Sequence, residues 1–195
     1  MGDFFKSRGF KIAVFVIVLL LAIVLIIEGT LLDNKGFFNK HKDLASQLDE
    51  ESTKEDDGNN IILMPNDEIY SFSFTDADGV NLHFERTDDG WVYVDNPKIS
   101  IDSDRVNCVL NYLGDVKCID VIRDADPEKY GLVKESPVAV ITDSSDSSIY
   151  ISFGDFNEDK GQFYYAINYD YSTVYVNSGK LNKIMHYRIE DLIKN

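Results

Sequence analysis

The pattern of apolar and polar positions separates an N-terminal part of the chain from everything after it. Residues 12–27 form an unbroken apolar run, IAVFVIVLLLAIVLII. A helix on the surface of a soluble protein needs a polar face, so such a run is typical of a helix that crosses a bilayer. Extended to Leu32, it would be about 30 Å long as a helix, which matches the bilayer core. The sequence therefore predicts a transmembrane anchor over residues 12–32.

Charges on either side of this run predict its orientation. Three basic residues precede it, whereas acidic residues follow it, namely Lys6, Arg8 and Lys11 before and Glu28 and Asp33 after. The positive-inside rule then places a basic tail, residues 1–11, in the cytoplasm and the rest of the chain outside. We expect a single-pass protein of the cell membrane with an extracytoplasmic C-terminal domain.

A cleaved signal peptide is the alternative interpretation of the same segment. A basic start followed by an apolar stretch fits a signal peptide as well. The stretch is longer than the usual signal core, and no small-x-small pair follows it. These two features favour an uncleaved anchor, and either interpretation exports the remainder of the chain.

Residues 33–60 read as a spacer. The stretch DEESTKEDDGNN is acidic and nearly free of apolar residues, which is typical of disorder. Leu44 and Leu48 are spaced for one short helix before it. Apolar residues return at Ile61, so we predict a folded domain over residues 61–195.

Alternation with a period of two predicts strands throughout that domain. Tyr70, Phe72 and Phe74 share one face of the first strand, and two further strands follow across Asp-Gly turns. The same pattern returns in the second half of the domain, at residues 138–141, 149–153, 163–167 and 174–176.

Each set of strands is followed by a predicted amphipathic helix. The first begins near Ser103, with Asp102 or Ser103 as N-cap, and its apolar stripe is Val106, Val109, Leu110 and Leu113. The second begins near Gly179, with a stripe of Leu181, Ile184, Met185, Ile189, Leu192 and Ile193. Two β-meander–helix units predict an α+β fold with mainly antiparallel sheet.

Charge and cysteine content restrict the function. The net charge is −15, so the chain repels phosphate backbones and nucleic acid is not an expected partner. The two cysteines, Cys108 and Cys118, form no CxxC motif. In an exported domain they allow a disulfide, and two unpaired thiols are the alternative.

Several short motifs in the domain resemble a known family. Gly90-Trp91 ends the first meander, Asp102-Ser103-Asp104-Arg105 opens the helix, and Asp126-Pro127-Glu128-Lys129-Tyr130-Gly131-Leu132 precedes Pro137. Over residues 65–190 this order resembles the bacterial domain of unknown function designated four-three-four-zero. The resemblance implies a membrane-anchored auxiliary component that is encoded beside a gliding-motility-type ABC transporter. The family has no established catalytic residues, so the resemblance transfers none.

The motif residues themselves have structural interpretations. Pro127 can open a helical turn, Gly131 can end it with a positive φ, and Leu132 would enter the core between the two halves. Trp91 follows a turn and is expected in the core. Pro137 belongs to the same motif.

Other chemistry has weaker support. The Asp76-Ala77-Asp78-Gly79 turn resembles part of a calcium loop, but Phe74 stands where the first ligand belongs, so a hairpin turn is favoured. His83 lies on a plain polar strand face, and no hydrolase motif is present in the sequence. The sequence predicts neither an enzyme nor a cofactor or metal site.

Five tyrosines lie close together in the sequence. Core packing and stacking on carbohydrate are the two interpretations of this cluster, which comprises Tyr164, Tyr165, Tyr169, Tyr171 and Tyr175.

Together these features predict a non-catalytic, membrane-anchored accessory protein, and the resemblance implies ABC transporter subunits as its partners. The alternative is a stand-alone cell-envelope domain that binds carbohydrate or peptide.

Overall fold

The computed structural model describes residues 46–54 and 56–194, which adopt an α+β fold. Every strand pairing within these residues is antiparallel. The strands are β1 Asn59–Leu63, β2 Ile69–Thr75, β3 Asn81–Thr87, β4 Gly90–Tyr93, β5 Asp115–Cys118, β6 Asp120–Arg123, β7 Val138–Asp143, β8 Ser148–Asn157, β9 Gln162–Ile167 and β10 Thr173–Asn177. The helices are α1 (residues 46–52), α2 Ser103–Leu113 and α3 Ile189–Leu192, with 3₁₀ helices at Pro127–Tyr130 and Leu181–His186.

The two predicted meanders are joined into one eight-stranded sheet, in the order β4-β3-β2-β7-β8-β9-β10-β6. The join is the pairing of β2 with β7, in which Phe72 lies opposite Ile141. A second, two-stranded sheet pairs β1 with β5. The predicted α+β class with antiparallel sheet is confirmed, and the two halves share one continuous sheet.

One face of the large sheet carries the main core, covered by α2 and the C-terminal helical segments. Alternating residues of the strands are buried there, including Phe72, Phe74, Phe84, Ile141, Ile151, Phe153 and Phe163. Helix α2 contributes Val106, Val109, Leu110 and Leu113, the four residues of its predicted stripe. The Asp102 carboxylate caps the helix by accepting the N–H of Asp104 at 3.0 Å.

Strand β2 departs from the predicted alternation at its start. Its pairing with β7 shifts register between Ile69 and Ser71. Because of this shift Ile69 is fully buried, whereas Tyr70 is 46% exposed. The prediction that Tyr70 shares the core face of Phe72 and Phe74 is therefore wrong.

The predicted C-terminal helix is wrong as a single element. A 3₁₀ helix over Leu181–His186 ends at Tyr187, which has extended backbone angles (φ −75°, ψ 151°), and α3 follows. The extended backbone lets the Tyr187 carbonyl accept the N–H of Ala77 at 3.1 Å. The Tyr187 side chain is fully buried there, so packing outweighs the helical pattern.

The predicted start of the domain at Ile61 is also wrong, because part of the predicted spacer is folded. We call residues 46–54 and 56 the N-terminal arm. Leu48 of the arm is buried in the main core, and its carbonyl accepts a hydrogen bond from the Tyr112 hydroxyl at 3.0 Å. Strand β1 then begins at Asn59. Composition predicted disorder here because the arm contains few apolar residues. Those few residues nevertheless make the contacts that fold it onto the domain.

Residues 124–136 form a strap across the opposite face of β8, β9 and β10. Pro127 opens its 3₁₀ turn and Gly131 ends it with φ +70°, as predicted. Leu132 packs there with Ala166 and Val174 in a small separate core. The prediction that Leu132 lies between the two halves is wrong, because the strap crosses the face away from the helices.

The predicted anchor, residues 12–32, and the predicted spacer up to residue 45 lie outside the described residues. Within the described ranges, no helix has the length and apolar character needed to cross a membrane.

Candidate functional site

A cleft of about 410 Å³ lies where the N-terminal arm meets the body of the domain. Its volume falls in the range that accommodates a small ligand or a few side chains of a partner. It is surrounded by the arm, the end of β1, the end of α2, the start of β5 and the chain from the end of β10 onward. Its lining includes Ser52, Lys54, Asp56, Leu63, Met64, Pro65, Leu110, Tyr112, Asn177 and Leu181.

The polar side of the cleft is fixed by Asn177. This side chain is fully buried, and its Nδ2 donates to the Asp56 carboxylate at 2.7 Å and to the Lys117 carbonyl at 3.0 Å. Its Oδ1 accepts the backbone N–H groups of Gly179 and Leu181, both at 3.0 Å. With every donor and acceptor position in use, Asn177 is a structural residue that holds the arm against the domain.

Asp56 is the arm residue that Asn177 contacts, and it forms further hydrogen bonds with the domain. Its carboxylate also accepts a hydrogen bond from the Ser178 hydroxyl, and its carbonyl accepts one from Lys117 Nζ at 3.4 Å. The Lys117 ammonium lies 3.5 Å from the Asp115 carboxylate as well. These contacts fix the position of the polar wall relative to β5 and β10.

The opposite wall is apolar and partly open to solvent. Leu63, at the end of β1, is 70% exposed, and half-buried Met64 follows it. The Met64 N–H donates to the Gly114 carbonyl at 2.7 Å, which holds this wall against the end of α2. Leu63 and Met64 thus form the apolar edge of the cleft, facing its polar wall.

The motif residues singled out from the sequence do not line this cleft. The Trp91 ring packs edge-on against Phe72, with 5.0 Å between the ring centroids, and the Arg86 guanidinium lies 4.6 Å from the centre of the Trp91 ring. Trp91 is buried, so its predicted core position is confirmed. Tyr130 packs against Tyr164 at 4.9 Å. The Pro137 carbonyl accepts the N–H of Phe153 at 2.8 Å, beside β7. Trp91, Tyr130 and Pro137 therefore contribute to packing.

Cys108 and Cys118 are free thiols in this structure. Cys108 is half-buried on α2, whereas Cys118 is buried at the end of β5. Burial raises the pKa of the Cys118 thiol, and the nearby Asp120 carboxylate adds to the shift. The disulfide allowed by the sequence is not formed here.

The aspartate-rich turn behaves as a hairpin turn, as predicted. The Asp76 carboxylate accepts the N–H groups of Asp78 at 2.9 Å and Val80 at 2.8 Å. Among the described residues, no group of three or more His, Cys, Asp or Glu side chains is placed to hold a metal ion. His83 lies 4.0 Å from Glu85 on the open sheet face.

The five clustered tyrosines are divided between the two faces of the sheet. Tyr165 is fully buried in the main core and stacks on Tyr175 at 5.3 Å. Tyr164 and Tyr171 pack against the small core beneath the strap. Tyr169 is 51% exposed.

Sequence reasoning missed the arm and Asn177, the residues that build the cleft. The pair Leu44 and Leu48, spaced for one helix face, was the only sign that the acidic segment could fold. Comparisons with protein-family models, curated proteins and solved structures each returned no match.

Proposed function

We propose that this protein is a non-catalytic, membrane-anchored accessory protein that acts by contact, as an auxiliary component of an ABC transporter. The apolar run at residues 12–27 and the basic residues before it support a single-pass anchor over residues 12–32, with the domain outside the cell. The resemblance of residues 65–190 to the four-three-four-zero family supports the transporter as partner.

The observation that carries a contact function is the cleft with Leu63 at its edge. Leu63, at the end of β1, is 70% exposed, whereas its neighbour Ile62 points to the other face of the strand and is buried at 4% exposure. Apolar side chains beside hydrogen-bonded polar groups are the usual composition of a protein-binding site. We therefore assign the cleft as the surface that receives a segment of the partner.

The position of the cleft in the chain fits a partner in the same membrane. Its polar wall is the N-terminal arm, the first described part of the chain after the predicted anchor. A partner held in the same membrane is presented to the cleft at high effective concentration, which compensates for a small contact area.

Site-specific crosslinking in native membranes tests this proposal. A photoreactive amino acid at position 63 should capture a transporter subunit, identified by mass spectrometry. The matched control is position 80, because Val80 is also an exposed apolar residue, at 50%, and does not line the cleft. Equal capture from both positions, or capture from position 80 alone, would contradict the assignment of the cleft.

Topology has its own test. Protease added to intact protoplasts should digest the domain, while a tag at the N-terminus stays protected. A protected C-terminal tag would contradict the proposed orientation, and a mature protein beginning near Thr30 would establish cleavage.

A further inference from the structure

Two tyrosines form an exposed aromatic pair on the sheet face opposite the main core. The rings of Tyr150, on β8, and Tyr169, after β9, lie 5.2 Å apart between centroids and are tilted by 36°. Tyr150 is half-buried, whereas Tyr169 is 51% exposed. The pair therefore presents aromatic surface to solvent instead of filling a core.

Tyr169 occupies a backbone position that disfavours tyrosine. Asn168 and Tyr169 have φ of +52° and +60°, and the Asp170 N–H donates to the Ile167 carbonyl at 3.0 Å. This is the arrangement of a type I′ turn, whose second central position is most often glycine. A bulky residue in this conformation is strained, and such strain is concentrated at functional sites. The side chain is thus present despite the backbone preference.

The turn is fixed to β8, so the two rings keep a defined relation. The Asn168 N–H donates to the Tyr150 carbonyl at 2.8 Å, and the Asn168 Oδ1 accepts the Tyr150 N–H at 3.1 Å. Next to the pair, the hydroxyls of Tyr171 and of fully buried Ser152 lie 3.3 Å apart. Such an arrangement holds the rings ready for a ligand without further ordering, which favours binding.

We infer that Tyr150 and Tyr169 form a stacking site for an uncharged carbohydrate. The C–H faces of a sugar ring pack on aromatic rings, while the phenol hydroxyls of the tyrosines supply hydrogen bonds to its hydroxyl groups. Residues 61–195 carry a net charge of −12, which opposes binding of anionic polymers. This site is separate from the cleft, and the inference does not depend on the accessory role.

Calorimetry and NMR on the full chain in lipid nanodiscs test the inference, with an N-acetylglucosamine tetrasaccharide and maltotetraose as probes. At least one probe should bind at millimolar concentration and shift the ring signals of Tyr150 and Tyr169. Polygalacturonate, an anionic polymer, should not bind. Absence of binding by both neutral probes, or binding of polygalacturonate through the same rings, would overturn the inference.

The Tyr169→Gly variant separates binding from folding. Glycine suits the turn, so its Tm should equal or exceed that of the wild-type protein, while carbohydrate binding weakens by about tenfold or more. The matched control is Tyr70→Ala, because Tyr70 is 46% exposed at another part of the sheet, and it should leave binding unchanged. Unchanged binding in Tyr169→Gly would overturn the inference. A Tm decrease with unchanged binding would show that the ring serves stability alone.

Discussion

The hydroxyl of Tyr187 donates a hydrogen bond to the carboxylate of Asp49 at 3.0 Å, joining residues 138 positions apart in the chain. Arg105, on α2, forms an ion pair with the same carboxylate. Asp49 thus connects the N-terminal arm to the first helix and to the C-terminal segment at one point. The arm is part of the domain because of contacts of this kind.

Truncation should reveal the contribution of the arm. We expect a chain beginning at residue 46 to be more stable than one beginning at residue 61, since the shorter chain loses Leu48, Asp49 and the first two residues of strand β1. In the longer chain, Leu48→Ala should lower the free energy of unfolding by about 2–5 kcal/mol, as for other buried leucines. Chemical denaturation measures both differences.

A neighbouring exposed residue gives the control for this experiment. Glu50→Ala should change stability by less than about 0.5 kcal/mol, because Glu50 is exposed. If the chains beginning at 46 and 61 were equally stable, the arm would not belong to the domain.

Gly131 should tolerate substitution less well than another glycine with the same backbone preference. Both Gly131 and Gly79 have positive φ, at +70° and +78°. A Cβ on Gly131 would lie 2.8 Å from the backbone nitrogen of Asp155, whereas one on Gly79 meets nothing within 4 Å. Gly79→Ala should therefore cost about 1–2 kcal/mol from backbone strain alone, and Gly131→Ala should cost clearly more.

Thermal unfolding of the two alanine variants measures this difference. The comparison isolates the close approach of the strap to β8, since the backbone strain is common to both. Equal destabilisation would show that the strap can move away from Asp155 without loss.

The two thiols should differ in reactivity. Cys118 is buried and its pKa is raised, so it holds less of the reactive thiolate near neutral pH than an ordinary cysteine. Under native conditions we expect iodoacetamide to modify half-buried Cys108 first. Peptide mass spectrometry over time gives the order, and Cys108→Ser should leave a protein that reacts slowly until it is unfolded. Recovery of a Cys108–Cys118 disulfide from native protein would contradict the conclusion that both cysteines are free thiols.

Alkaline pH should destabilise the domain through its buried tyrosines. Burial raises the pKa of Tyr187 and of Tyr165 above the ordinary value. Since the pKa is higher in the folded state than in the unfolded state, this stability is fully present below about pH 10 and declines as pH rises further.

Urea unfolding at several pH values, with tyrosinate absorbance recorded alongside, checks this decline. Tyr165→Phe should flatten the loss of stability above about pH 10, because phenylalanine does not ionise. An unchanged slope in that variant would show that Tyr165 ionises as readily in the folded chain as in the unfolded one.

Periodicity predicted the parts of the fold that depend on local sequence. The stripe from Val106 to Leu113 and the alternation of Phe72 and Phe74 each place residues on a face that then becomes buried. The same reasoning failed where distant contacts determine the structure. Tyr187 interrupts a helical pattern because its ring is needed in the core. β6 is only four residues long and is defined by its pairing with β10.

The candidate sites were less accessible to sequence reasoning than the fold. Nothing in the acidic segment identifies Asp56 as the partner of Asn177, because that hydrogen bond spans 121 positions. The tyrosine cluster was visible in the sequence. Its division into buried Tyr165 and exposed Tyr169 required the sheet register and the positive φ at the turn.

The folded arm shortens the tether that the proposed anchor would leave to the domain. If residues 12–32 span the membrane, only residues 33–45 remain to connect them to α1. Thirteen residues reach at most about 45 Å when fully extended, whereas the 28 residues of the predicted spacer would reach roughly twice as far. Under the proposed topology, the tether available to the domain is therefore about half as long as the one that the acidic composition predicts.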